Sequence, residues 1–141
     1  MRFDKFTEKV QQALQEADSL AGKHNHPTLD NDHLLLALVR QQDGVVSPLL
    51  ARLGVDRGEI ERELEGEIAR KPKAYGTTTQ MSLSPQLAET LRKAESEAEG
   101  LKDDFVSAEH ILIAMLEVAS PVQKILKGRG LKRDAVLTAL K

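Results

Sequence analysis

Four histidines and a knot of acids near position 105 are the residues in this chain whose types and spacing could do chemistry. His24 and His26 form an H-x-H pair that could ligate a metal with Asp30 or Asp32. With no further ligand placed beside them, the stretch reads instead as a polar, solvated loop between helices. Ser107 and His110 could be assembled with an acid into a nucleophile and its base, but Ser107 stands where a helix needs an N-cap. His33 and His110 each lie close to a helix start, where the ring most simply serves a hydrogen bond of the fold. The chain contains no G-x-x-x-x-G-K-[ST] loop, no G-x-G-x-x-G and no H-E-x-x-H. ATP hydrolysis is therefore not expected of it, nor any cofactor or metal, and the expectation is a non-catalytic recognition domain.

The acids divide into two kinds. Along EIERELEGEIARK (59–71) glutamates recur at alternate positions, which a helix spreads around its circumference, so a solvated helix is expected. In KDDFVSAEH (102–110), Asp103, Asp104 and Glu109 gather around Phe105 where a helix begins. One acid there is explained by the helix dipole; three suggest the rim of a binding surface.

Composition sets what can position these groups. The chain has 141 residues, no Cys and no Trp, and only Phe3, Phe6, Tyr75 and Phe105 are aromatic. Its core must come from Leu, Ile, Val and Ala, which favours helices. The absence of cysteine excludes disulfides and thiol chemistry and suits the cytosol. The opening MRFDKF is charged and no stretch approaches eighteen uncharged apolar residues, so neither an export signal nor a membrane span is expected. A net charge of −2 with signs interspersed offers no field for a phosphate backbone, so no nucleic-acid partner is expected. A helix-turn-helix reading would need a basic recognition helix, whereas the central helices here are apolar.

An internal repeat organises the pattern. At an offset of 77, residues 6–39 lie over 83–116, matching Leu14 with Leu91, Ala17 with Ala94, His33 with His110 and Leu35 with Leu112. After a one-residue gap Gly54 meets Gly130 and Leu64 meets Leu140. The reading is one domain over 1–141, made of a first unit at 3–69, a linker at 70–82 and a second unit at 83–141. Each unit parses into four helices, so the fold class is all-α, two pseudo-twofold-related four-helix repeats. Thr7 and Ser84-Pro85 open the first helices; Asp30 and Ser107 cap apolar central helices at HLLLALV and HILIAML. Ser47-Pro48 and Ser120-Pro121 open short third helices ending near Gly54 and Gly130, and Asp56 with Glu59 suggests a capping box for the fourth. The helical pattern still runs at Leu140-Lys141, which suggests a fragment of something longer. The apolar stripes are used up inside, so the isolated unit is expected to be a monomer.

These residues resemble a known family. MRFDKFTEKVQQAL, SPLL at Ser47, GVDRGEIEREL, the KPKAYG linker and FVSAEHILIAML look like the N-terminal domain of Clp ATPases, over essentially the whole chain and more like the ClpB type than ClpA or ClpC. The resemblance implies a double helical repeat tethered to a hexameric AAA+ ring that threads aggregated proteins, with ATP handled elsewhere in the parent protein. It also implies a groove between the repeats that weakly binds apolar segments of unfolded polypeptides, with polar rim positions matching Thr7, Asp103 and Glu109. Burying about 500 Å² of apolar surface gives a gross gain of about 12 kcal/mol, most of which association and ordering remove. Positions expected to be apolar in such a groove hold Lys93, Glu97 and His110, so these three join the expected substrate-binding residues, and segments of mixed apolar and basic character are the expected clients. A module that docks a folded adaptor, as in a ClpC-type protease ring, is the alternative.

Overall fold

The computed structural model describes residues 3–75 and 82–141. Among these, a 3-10 turn at Phe3–Lys5 leads into α1 (Glu8–Lys23), α2 (Asn31–Arg40), α3 (Val46–Arg52) and α4 (Arg57–Arg70). Then follow α5 (Pro85–Gly100), α6 (Ala108–Glu117), α7 (Pro121–Gly128) and α8 (Arg133–Ala139). The order of long, apolar, short and final helix is the same in both halves, as the 77-residue offset predicts. No described helix is long and apolar enough to cross a membrane.

Helix ends follow their side chains. Thr7 accepts from the N–H of Val10 and Ser84 from that of Leu87, each capping the first helix of its unit. Pro85 and Pro121 occupy first helical positions, where a missing N–H costs nothing. Gly54 and Gly130, beyond the third helices, take φ of +73° and +83°, left-handed conformations that would strain any other residue. Two expected caps differ. α3 starts at Val46 rather than after Ser47, so Ser47 lies inside the helix and Pro48 within its first turn. Asp56 does cap α4, accepting from Gly58 N–H, but Glu59 is drawn off to Arg129, so the reciprocal box is not formed.

The central helices are buried almost all round. Leu34, Leu35, Leu38 and Val39 of α2 and Ile111, Leu112, Ile113, Ala114 and Met115 of α6 have no exposed surface. α1 packs on α2 and α5 on α6, while α2 also touches α5, α6 and α7 and α6 touches α3. One core therefore runs through both units.

Two short parallel pairings, unforeseen in an all-α reading, tie the units together. β1 (Thr28–Leu29) pairs with β2 (Ser82–Leu83), and Phe6 makes an isolated bridge with Val106. Under the 77-residue offset Leu29–Leu83 and Val106–Phe6 are the same pair with the units exchanged, so the start of each unit adds itself to the loop before the other unit's central helix. The N–H of Ser84 donates to the Leu29 carbonyl at 2.8 Å, and that of Thr7 to the Val106 carbonyl at 3.0 Å. Ser82, expected in the linker, thus belongs to β2. Residues 76–81 of the expected linker lie outside the described residues; before them Lys71 closes α4 and Tyr75 is exposed. The glutamates of α4 are also less solvated than expected: Glu61 and Glu65 meet Arg40 of α2, and Glu59 and Glu63 meet Arg129 beyond α7.

Candidate functional site

The crossed pairing creates two equivalent places where a unit's first-helix cap meets the other unit's central-helix cap. The second of these, around the start of α6, collects most of the expected binding residues. Thr7 reaches it through its N–H to Val106. Ser107 caps α6, and its N–H donates to His110 Nδ1 at 2.9 Å in a reciprocal box. An imidazole that accepts at Nδ1 carries its proton on Nε2, so His110 donates from there to Asp103 Oδ2 at 2.8 Å. Glu109 bonds the Ser107 hydroxyl. Phe105, Leu101 and Phe3 are about half exposed, and Phe3 stands edge-on to the buried Phe6 ring. A carboxylate pair beside exposed apolar side chains is therefore laid out along the junction.

The other expected residues have different duties. Glu97 is buried on α5, where the Arg133 guanidinium donates to it at 2.5 Å. That hydrogen bond holds its carboxyl below the usual range, with help from the charges of Arg133 and Lys93. His110 is itself 2% exposed and committed to the cap. Lys93 lies on the exposed side of α5. Thr7, Asp103, Glu109 and His110 are thus brought together, while Glu97 lies within electrostatic reach and Lys93 offers a cation at its edge.

The equivalent place at the start of α2 holds none of the expected binding residues, although the offset maps Thr7 onto Ser84, Ser107 onto Asp30, Glu109 onto Asp32 and Asp103 onto His26. There, Asp30 N–H donates to His33 Nδ1 at 3.0 Å, so His33 donates from Nε2 to His26 Nδ1 at 2.9 Å. His26 is only 4% exposed, not a residue of a solvated loop, and its Nε2 finds no partner among the described residues. Burial, and then the charges of His26 and Lys71, push His33 down to about 4. Burial also lowers His26.

This first rim is closed by a cation of the chain itself. Lys71 places Nζ 2.6 Å from Asp30 Oδ2 and 3.0 Å from Asp32 Oδ2, and Ser84 donates to Asp30 Oδ1 at 2.8 Å. Burial works against the charge on Asp30, but the hydrogen bonds from Lys71, Ser84 and Asn31 outweigh it and the carboxyl falls below its ordinary value. For Asp32, 3% exposed, burial wins and its carboxyl is raised. Lys71 is raised, the two carboxylates overcoming its own burial.

The Clp repeat (R) N-terminal domain family model matches residues 5–129. The chain belongs to that family. Among full-length relatives, the chaperone protein ClpB of Nitratidesulfovibrio vulgaris is 39% identical over 145 residues and that of Pseudomonas putida 35% over 140. Each alignment takes in 99% of this chain but only 17% and 16% of the relative, so the chain spans about a sixth of the proteins it matches. The Hsp104 N-terminal domain from Candida albicans superposes with a TM-score of 0.82 at 26% identity, covering 96% of this chain and 88% of that one. A complex of the ClpV N-domain with a VipB peptide superposes at 0.73 with 22% identity over 97% and 89% of the two chains, a likeness of fold.

Measured against that fold, the Clp N-domain described here offers no cluster of three or more His, Cys, Asp or Glu side chains fit to hold a metal among its described residues. A groove of about 590 Å³ between α1 and α2 is rimmed by Lys9, Gln12, Glu16, Lys23 and Arg40, and none of the expected site residues lines it.

Proposed function

We propose that this domain is the substrate-recognition unit of a ClpB-type AAA+ chaperone, one domain of two units that captures exposed apolar segments of unfolded or aggregated polypeptides and hands them to an ATP-driven, hexameric, cytoplasmic ring. The observation that carries the reading is the second rim. Phe3, Leu101 and Phe105 are exposed beside Asp103 and Glu109, at a junction held by the backbone bond from Thr7 to Val106. Three large apolar groups gathered in water at one junction mark a contact surface. The area is small, so binding is weak and readily reversed once association costs are met. The family membership and the ClpB relatives support the assignment to a ring chaperone.

A second reading has one observation in its favour: a ClpV N-domain of the same fold is known in complex with a VipB peptide, so docking of a defined partner segment is within the repertoire of the fold. Fluorescence anisotropy of a labelled, permanently unfolded protein separates the two. Capture predicts weak binding without any adaptor, weakened further by Phe105→Ser and unchanged by Gln12→Ala in the α1/α2 groove. No binding at millimolar domain would overturn capture and favour adaptor docking.

A further inference from the structure

Two buried imidazoles meet between the end of α1 and the start of α2, and their hydrogen bonds leave no place for another proton. His33 Nδ1 accepts from the Asp30 N–H, and its Nε2–H donates to His26 Nδ1 at 2.9 Å. His26 then carries its own proton on Nε2, which is buried without a partner among the described residues. A third proton at His33 Nδ1 would displace the Asp30 N–H, and one at His26 Nδ1 would set two N–H groups against each other. His33 is fully buried and His26 is 4% exposed, so a displaced group has no water to turn to.

The groups that face the pair do not relieve this. His24 stacks on His26 from the end of α1, with ring centroids 5.4 Å apart, and Lys71 and Lys73 add positive charge from the segment after α4. Asp32 Oδ1 lies 3.5 Å from His33 Nδ1, but it already accepts from the His33 N–H at 2.8 Å, and Lys71 holds its other oxygen. Asp30 is likewise shared among Lys71, Ser84 and the Asn31 N–H. The loop that presents His26 is also fastened to the connection between the units, because the Ala74 N–H donates to the Asn25 carbonyl at 2.8 Å. Asn25 takes φ of +58° there, a left-handed conformation kept while its surroundings hold it.

We infer that His26 and His33 form an acid-operated latch between the loop at 24–27 and the segment 71–74 that leaves α4. The pair takes up protons only by separating, His26 turning out with its loop and the Ala74 bond breaking with it. Each ring so freed regains an ordinary imidazole's affinity for a proton. The open form therefore gains about tenfold per ring for each pH unit below 6.5, or about a hundredfold for the two. At neutral pH neither ring calls for a second proton and the latch is shut; acidification opens it. The lowering of both rings by burial has the same sign. The second junction has no such pair, because the outer N–H of His110 meets the carboxylate of Asp103 rather than another ring. Acid thus slackens the connection between the units while the rim around Phe105 keeps its form.

The test is an NMR titration of the isotope-labelled domain from about pH 7 to about pH 4, reading the His26 and His33 rings together with the backbone amides. The inference predicts that the two rings titrate in one step below 6.5, with a shared midpoint and the steepness of about two protons. The Asn25 and Ala74 amides should move in that same step, and those of α5 and α6 should not. His26→Asp, which gives His33 a carboxylate in place of a ring, should reduce the imidazole step to about one proton. Separate midpoints for the two rings in the unaltered chain, each with one-proton steepness, would overturn the inference. A joint step that leaves Asn25 and Ala74 unmoved would overturn it as well. Loss of the α5 and α6 amides in the same step would mean that the whole domain, not the latch, takes up the protons, and would also overturn it.

Discussion

At the start of α2 the capping histidine, His33, passes its outer N–H to a second buried imidazole, whereas at the start of α6 His110 passes it to Asp103, a carboxylate about half open to water. The same division extends to the acids. Asp32 is sealed beneath Lys71, and Glu109, its counterpart, bonds its own cap hydroxyl and no other side chain among the described residues. A duplicated unit has therefore kept its backbone plan twice and spent the side chains differently. One junction is closed by internal pairing and serves stability; the other keeps its carboxylates and apolar residues at the surface. The lesson is that a repeat's symmetry locates a site, and its departures from symmetry say which copy faces a ligand.

What the copies share should fail equally. Leu35 and Leu112 occupy equivalent, fully buried positions on the central helices. Leu35→Ala and Leu112→Ala should each cost about 3 kcal/mol in urea unfolding. A large inequality would break the picture of two equivalent halves around one core.

What the copies do not share should show in acid. His33 is lowered from 6.5 to about 4. Above pH 6.5 it is neutral folded or unfolded and its contribution is whole. As pH falls from 6.5 toward 4 the unfolded chain takes up a proton that the folded chain refuses, so about 3 kcal/mol of stability is lost, with no further loss from this group below 4. His26→Asp, which copies the Asp103 arrangement into the first unit, should reduce that acid loss even if it lowers stability at neutral pH. Urea midpoints across pH 7 to 4, with the His33 ring followed by NMR, check both statements.

Removing the clamp should cost somewhat less. Lys71→Met leaves Asp32 buried without its counter-charge and should destabilise by about 2 kcal/mol at neutral pH, the loss shrinking as pH falls and Asp32 takes up a proton. Glu109→Gln at the open rim should change stability by less than about 0.5 kcal/mol. If Glu109 proved as important to folding as Lys71, the contrast between a closed and an open rim would not hold.

Much of this was legible in the sequence. The offset of 77, the caps at Thr7, Ser84, Asp30 and Ser107 and the glycine stops are local or periodic signals, and the helices followed them. Thr7, Asp103 and Glu109 were reachable through resemblance, and the structure brings them to one junction. What stayed hidden depends on pairs distant in the chain. Lys71 meets Asp30 across 41 positions and Arg133 meets Glu97 across 36, and neither leaves a mark in periodicity. His26 looked like a loop residue because its burial is set by the crossed pairing of β1 with β2, which two-residue strands do not announce. Ser47 misled because a Ser-Pro signal was outweighed by the burial of Val46, which draws the helix start two residues earlier.

The account is tested most directly by a two-dimensional NMR titration of the labelled domain with a permanently unfolded protein, reading both rims in one spectrum. It predicts shifts at Thr7, Asp103, Phe105 and Glu109 and a silent first rim at Ser84, Asp30 and Asp32. Shifts of equal size at both rims, or none at either with millimolar ligand, would contradict it.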